Sequence, residues 1–104
     1  MIEVDKLTFA GEVLSVKGLI VVDFWSPKCK ECKGLMPSIT ELSKKYTGKA
    51  KFCKLDTLSN MEVAISQRVI GLPTIIFYRD GKKVVEFCKD IDVEDVEARL
   101  QELI

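Results

Sequence analysis

The chain contains no histidine. This removes the commonest general base and any histidine-ligated metal site. It also lacks an excess of charge of either sign, since sixteen Lys and Arg stand against sixteen Asp and Glu. Balanced charge offers no electrostatic footprint for a polyanion, so no nucleic acid partner is expected. No apolar run approaches the roughly 20 residues needed to cross a bilayer, and no membrane partner is expected. The clearest runs, residues 19–22 and 75–78, have the length of buried strands. The opening Met1-Ile2-Glu3-Val4-Asp5-Lys6 has neither the basic start nor the apolar stretch of a signal peptide. The expected location is cytoplasmic. Prolines are few and scattered, and there is no repeat, low-complexity tract or linker.

What is present fits one soluble domain. At 104 residues the chain reads as a single domain over 1–104, large enough for its own hydrophobic core. Apolar residues make up 47% and charged residues 31%, a balance that excludes a disordered chain. Four cysteines in a cytoplasmic chain are not a structural disulfide framework. Two of them, Cys29 and Cys32, form a C-x-x-C, while Cys53 and Cys88 stand alone.

The pattern of apolar residues sets the order of elements. Residues 2–4 suit a short edge strand. Phe9 and Val13, four apart, suggest a short helix over residues 8–16, ended by Gly18. Residues 19–25 form a nearly continuous apolar strand, as expected for one buried on both faces. A long helix opens near the C-x-x-C, with Leu35, Ile39, Leu42 and Tyr46 on one face. Pro37 deletes one of its hydrogen bonds and should kink it, and Thr47-Gly48 ends it. Residues 51–56 read as a strand. Ser59 is placed to cap a helix reaching about Arg68, with Glu62 as capping-box partner. Residues 74–78 and 83–88 are strands joined through Arg79-Asp80-Gly81-Lys82, a hairpin turn centred on Asp-Gly. Val93, Val96, Leu100 and Leu103 mark a last amphipathic helix. Helices alternating with the first strands, and a closing hairpin, predict an α/β fold: a three-layer α/β/α sandwich around a mixed sheet.

The chemistry sits at Cys29-Lys30-Glu31-Cys32, which follows a buried strand and opens a helix. Two residues three apart in a first helical turn are close enough for a disulfide. Unpaired N–H groups and the helix dipole there stabilise a thiolate. Cys29 is therefore the expected nucleophile and Cys32, one turn deeper, the resolving thiol. Lys28, Lys30 and Lys33 add positive charge, which Glu31 offsets in part. The same lysines also fit a merely solvated helix start. A lone C-x-x-C is equally half of a zinc site, which would require Cys53 and Cys88 to converge on the first pair.

Several strings, taken in order, resemble the thioredoxin family across nearly the whole chain. They are Val21-Val22-Asp23-Phe24-Trp25, Cys29-x-x-Cys32-Lys33, Met36-Pro37, Gly71-Leu72-Pro73-Thr74 and Asp80-Gly81-Lys82. The resemblance implies the thioredoxin fold and a thiol–disulfide oxidoreductase that reduces protein disulfides through a Cys29/Cys32 dithiol. It implies no bound cofactor, disulfide-containing protein substrates, a monomer, and a thioredoxin-reductase-type electron donor. It also implies a cis peptide before Pro73, beside the cysteines, in a bend that presents backbone groups to a substrate peptide. Asp23 becomes a buried acid behind the cysteines, able to take the proton of Cys32. Lys54 falls at the position of that acid's lysine partner. Without the resemblance, Asp23 reads as a strand-end carboxylate in water and Lys54 as a solvated strand lysine. Trp25, Lys28, Lys30, Glu31, Leu72 and Pro73 make up the expected substrate-facing rim, with Trp25 also readable as a packing residue.

Departures from the family pattern carry their own expectations. The family's Trp-Cys-Gly-Pro-Cys is Lys28-Cys29-Lys30-Glu31-Cys32 here, which should alter the redox poise. Net positive charge beside Cys29 favours the thiolate and hence a less negative reduction potential. The family's Val-Gly after the last strand is Cys88-Lys89, so a standard reductase should fit poorly. Cys53 reads as a small buried hydrophobe. Cys88 reads the same way, or as a third redox thiol at the rim. Two rival functions stay open on sequence alone: a non-catalytic interaction module that keeps the fold, and a metal-binding protein.

Overall fold

A strand that is apolar at all positions but one belongs where both its faces are covered. β2 (Leu19–Trp25) is such a strand, interrupted only by Asp23, and it takes the centre of the sheet. The computed structural model describes residues 1–104. β1 (Ile2–Val4) pairs in parallel with β3 (Lys51–Asp56), and β3 in parallel with β2. β4 (Thr74–Arg79) runs antiparallel to β2, and β5 (Lys82–Cys88) antiparallel to β4. The order is β1-β3-β2-β4-β5. With helices on both faces, this is the expected three-layer sandwich, and it carries the thioredoxin-like topology.

The two-residue period of the strands divides the core in two. Ile20, Val22, Phe24, Cys53, Leu55, Ile76 and Tyr78 face one side, where Phe9, Val13 and Val63 cover them. Val21, Phe52, Ile75 and Phe77 face the other, under α1 (Lys30–Lys45) and α3 (Val93–Leu103). Ile39 and Leu42 of α1 and Val96 and Leu100 of α3 complete that layer. The far ends of these helices are tied together. Tyr46 Oη donates to Glu97 Oε2 at 2.6 Å, Gln101 Nε2 donates to Tyr46 Oη at 3.0 Å, and Lys45 Nζ lies 2.6 Å from Glu97. The hairpin turn has positive φ at both central residues, 53° at Asp80 and 83° at Gly81, as a two-residue hairpin loop requires.

Two helices differ from the sequence pattern. The helix expected over 8–16 is a single π-helical turn, Ala10–Leu14, in which Ser15 N–H donates to the Ala10 carbonyl at 2.9 Å. Phe9 and Val13 are buried as their spacing requires. The carbonyl of Glu12, which a longer helix would give to residue 16, accepts instead from Lys51 Nζ at 2.8 Å. The helix expected from Ser59 to about Arg68 is α2 (Met61–Ser66), with Asn60 at its N-cap. Asn60 Oδ1 accepts from the Lys6 N–H at 2.9 Å, so the cap side chain serves a tertiary contact. Glu62 makes no capping box and pairs with Lys6 at 3.8 Å. Arg68 takes a left-handed backbone (φ 59°) that stops any extension.

Candidate functional site

The site forms where β2 ends and α1 begins. The Trp25 carbonyl is pinned by Thr57, whose N–H donates at 2.8 Å and whose hydroxyl donates at 3.1 Å. Ser26 then turns the chain: its carbonyl accepts from the Cys29 N–H at 3.0 Å and its hydroxyl from the Lys28 N–H at 3.2 Å. Cys29 is extended (φ −93°, ψ 106°) and acts as the N-cap of α1. Its sulfur accepts from the Cys32 N–H at 3.2 Å, one of the donors that every helix start leaves free. A side-chain oxygen ordinarily fills this role, and here a sulfur fills it. The same N–H is a ready partner for a thiolate.

Cys29 and Cys32 are joined by a disulfide with Cα atoms 5.2 Å apart. The two sulfur-bearing residues are unequal. Cys29 is half-buried at the rim, whereas Cys32 is 1% exposed. Only the first can meet an incoming disulfide directly. The remaining cysteines do not converge on this pair. Cys53 is buried on the opposite face of the sheet, and Cys88 is exposed at the end of β5. A four-cysteine zinc site therefore has no geometry here.

Asp23 is 1% exposed and faces the side of the sheet covered by α1. Its register neighbours are Lys54 on β3 and Ile75 on β4. Its Oδ2 has no hydrogen-bond partner. Burial pushes the carboxyl up from the 3.8 of an ordinary aspartate to about 7, against the pull of the Lys54 charge. Lys54 forms no ion pair with it. Its Nζ lies 5.9 Å from the centre of the Trp25 ring, a cation–π distance. Trp25 Nε1 is buried and unpartnered.

The opposite wall is the Leu72–Pro73 segment, whose peptide bond is cis. The Lys89 N–H donates to the Pro73 carbonyl at 2.7 Å, and Thr74 pairs in register with Cys88. Thr74 Oγ1 donates to the Gly71 carbonyl at 2.5 Å. Lys89 holds a positive φ of 65° at the position where the family pattern has glycine. Lys28, Lys30 and Glu31 are exposed beside Cys29. On one side of Pro73 lies a groove of about 660 Å³ between Glu31, Leu35 and residues 89–94. On the other lies an apolar groove of about 350 Å³ bordered by α2. The apolar residues of that second groove were not singled out by sequence reasoning. Their signal was the recurrence of Leu58, Met61 and Ile65 at spacings of three and four, outside the buried pair Val63 and Ala64.

Comparison with known proteins agrees with this geometry. The sequence model of the thioredoxin family matches residues 1–102. The chain belongs to the thioredoxin family. It is 47% identical to the thioredoxin of Acetoanaerobium sticklandii over 105 residues, which cover 100% of both chains. It is 48% identical to that of Peptoclostridium acidaminophilum over 90 residues, 86% of this chain and 82% of the other. It is 33% identical to that of Pseudomonas aeruginosa over 81 residues, 78% and 75% of the two chains. With the redox-active pair Cys29–Cys32, this family member is a dithiol–disulfide oxidoreductase.

Proposed function

We propose that the protein works as a reductant of protein disulfides, with Cys29 attacking and Cys32 resolving. The observation that carries the assignment is the inequality of the two thiols: Cys29 at the rim and accepting a helix N–H, Cys32 buried. The Cys29 thiolate attacks one sulfur of the substrate disulfide. A Cys29–substrate bond forms, and the other substrate half leaves as a thiolate. Cys32 then loses its proton and attacks the Cys29 sulfur. The mixed disulfide breaks, the Cys29–Cys32 bond forms, and two electrons have passed to the substrate as two thiols.

Asp23 is the proton acceptor of the second step in this reading. Its burial on the α1 side and its raised pKa keep it able to take up a proton near neutral pH. Lys54, opposite it in register, would hold the resulting charge balance. Lys28, Lys30, Glu31, Trp25, Leu72 and Pro73 would border the bound substrate. A separate reductase of thioredoxin-reductase type would return two electrons to the disulfide. The protein would act as a monomer in the cytoplasm, where its free thiols Cys53 and Cys88 stay reduced. The test is trapping. Cys32→Ser should accumulate protein partners joined to Cys29 that a dithiol releases, and Cys29→Ser should trap none. Equal trapping by both variants would reverse or remove the assignment.

A further inference from the structure

The two-residue period of the strands brings more than apolar packing to the α1 side of the sheet. Val21 of β2 and Phe52 of β3 face that side, so Asp23, Trp25 and Lys54 follow them there. Between Trp25, Lys54 and the flank of α1 lies a cavity of about 510 Å³, to which α1 contributes Lys33, Met36, Pro37, Thr40 and Glu41. Its size is that of a small-molecule site. It shares no residue with either groove beside Pro73.

The lining is unbalanced in charge. Lys33 and Lys54 have no ion-pair partner, whereas Glu41 is paired with Lys44 at 3.7 Å. Lys54 is half-buried, so water screens its charge only in part. The acid opposite it in register is Asp23, which keeps its proton up to about pH 7 and leaves the ammonium uncompensated below that. Thr40 gives its hydroxyl proton to the Met36 carbonyl at 2.8 Å. The free side-chain donors of the cavity are therefore two ammonium groups. Around them stand Met36, Pro37 and the Trp25 ring, over which Lys54 Nζ lies at 5.9 Å. The complement of this lining is a small molecule with an apolar body and a doubly charged anionic head.

We propose that this cavity binds a small organic phosphate monoester, with the phosphate on Lys33 and Lys54 and the apolar body against Met36, Pro37 and Trp25. The inference goes beyond disulfide exchange and stands without it. The site touches the redox chemistry through Lys54, the charge that opposes protonation of Asp23. On the other side of Asp23, β4 places the uncharged Ile75, and no thiol at the start of α1 titrates while the disulfide is closed. A phosphate on Lys54 cancels its charge, so the bound ligand favours the protonated acid. By reciprocity, an ionised Asp23 weakens the ligand by the same factor.

The test is titration of the oxidised protein with phenyl phosphate, followed by the fluorescence of Trp25, the only tryptophan. Binding should saturate with a dissociation constant below about 1 mM. Lys33→Gln and Lys54→Gln should each weaken it about fivefold, the loss expected for one partly screened charged contact. Lys49→Gln removes the same charge ahead of β3, at the far end of the sheet, and should change it by less than about twofold. Inorganic phosphate, which lacks the apolar body, should bind about tenfold more weakly. At about pH 8.5, where Asp23 is ionised, Asp23→Asn should bind phenyl phosphate about fivefold more tightly than the parent. At about pH 6 the two should bind alike. Each ratio is taken at one pH, so titration of the phosphate itself cancels. No saturation by about 10 mM overturns the site. So does an equal weakening by Lys49→Gln, which is the mark of diffuse charge attraction. Inorganic phosphate bound as tightly as phenyl phosphate overturns the organic body, and the same Asp23→Asn ratio at both pH values overturns the coupling to Asp23.

Discussion

Asp23→Asn gives the sharpest test of the buried acid. The parent carboxyl titrates at about 7 in the fold, against 3.8 for an ordinary aspartate. The cause is desolvation, opposed by Lys54. Between those values the folded chain keeps the proton while the unfolded chain loses it. Stability therefore falls as pH rises from about 4 to about 7, and is level above. The size of the fall is about 4 kcal/mol, at about 1.4 kcal/mol for each tenfold change in proton affinity. Asparagine has nearly the same shape and does not ionise. Near pH 4 both side chains are neutral, and the two proteins differ only by the unpaired amide hydrogens, worth roughly 1–3 kcal/mol. That offset is the same at every pH. The stability of Asp23→Asn relative to the parent should therefore rise by about 4 kcal/mol from pH 4 to pH 8. Urea unfolding of the oxidised proteins at several pH values measures it. A relative stability that stays flat within about 1 kcal/mol across this range would refute the burial argument.

Other expectations follow from single residues. In the reduced protein, limiting iodoacetamide at neutral pH should modify Cys29 first and Cys53 last, because Cys53 is fully buried and burial raises its thiol pKa; faster reaction at Cys32 or Cys53 would reverse the roles. The net positive charge of Lys28, Lys30 and Lys33 against Glu31 should move the reduction potential about 30 mV less negative than the thioredoxin reference near about −270 mV, a tenfold change in the exchange equilibrium. Equilibration with dithiothreitol checks this, and Lys28→Gln/Lys33→Gln, which leaves Lys30 balanced by Glu31, should move the value back. Gly81→Ala should cost more stability than Gly48→Ala. Both glycines have positive φ, worth about 1–2 kcal/mol each, but only at Gly81 would the new Cβ collide with the Leu14 carbonyl. Thermal melts that place the two variants together would remove the collision.

What was legible in the sequence was whatever local periodicity decides. β1, β2 and β3 lie where the residue pattern placed them, because each strand's apolar face is written in its own few residues. The redox pair was legible for the same reason: spacing, strand and helix start are all local. The two short helical elements were not. Asn60 rather than Ser59 caps α2 because of Lys6, more than fifty positions away in sequence. The turn at Ala10–Leu14 is held by Lys51. At the site, the left-handed backbone of Lys89 and its bond to Pro73 depend on how β5 meets β4, which no pattern within either strand reveals. The unpartnered Trp25 Nε1 is likewise a property of the assembled core. Lys54 lies opposite Asp23 in register and pulls on its carboxyl by charge, and register alone could not show that its ammonium also lies over the Trp25 ring.

The strand order also sets a schedule for synthesis. Ile20 pairs with Lys51 and Ile2 with Cys53, so three strands can associate once β3 has emerged. The other edge of β2 must wait for β4, since Leu19 pairs with Arg79. At ordinary elongation speeds of about 5–20 residues per second, that edge stays bare for roughly 3–11 s. During this interval the nascent chain presents an unpaired, almost wholly apolar strand, the kind of edge on which other chains aggregate. The hairpin that ends the wait forms locally through Asp80-Gly81, so closure needs only its arrival. A ribosome halted after β2 has emerged but before β4 has would hold the chain in its stickiest state.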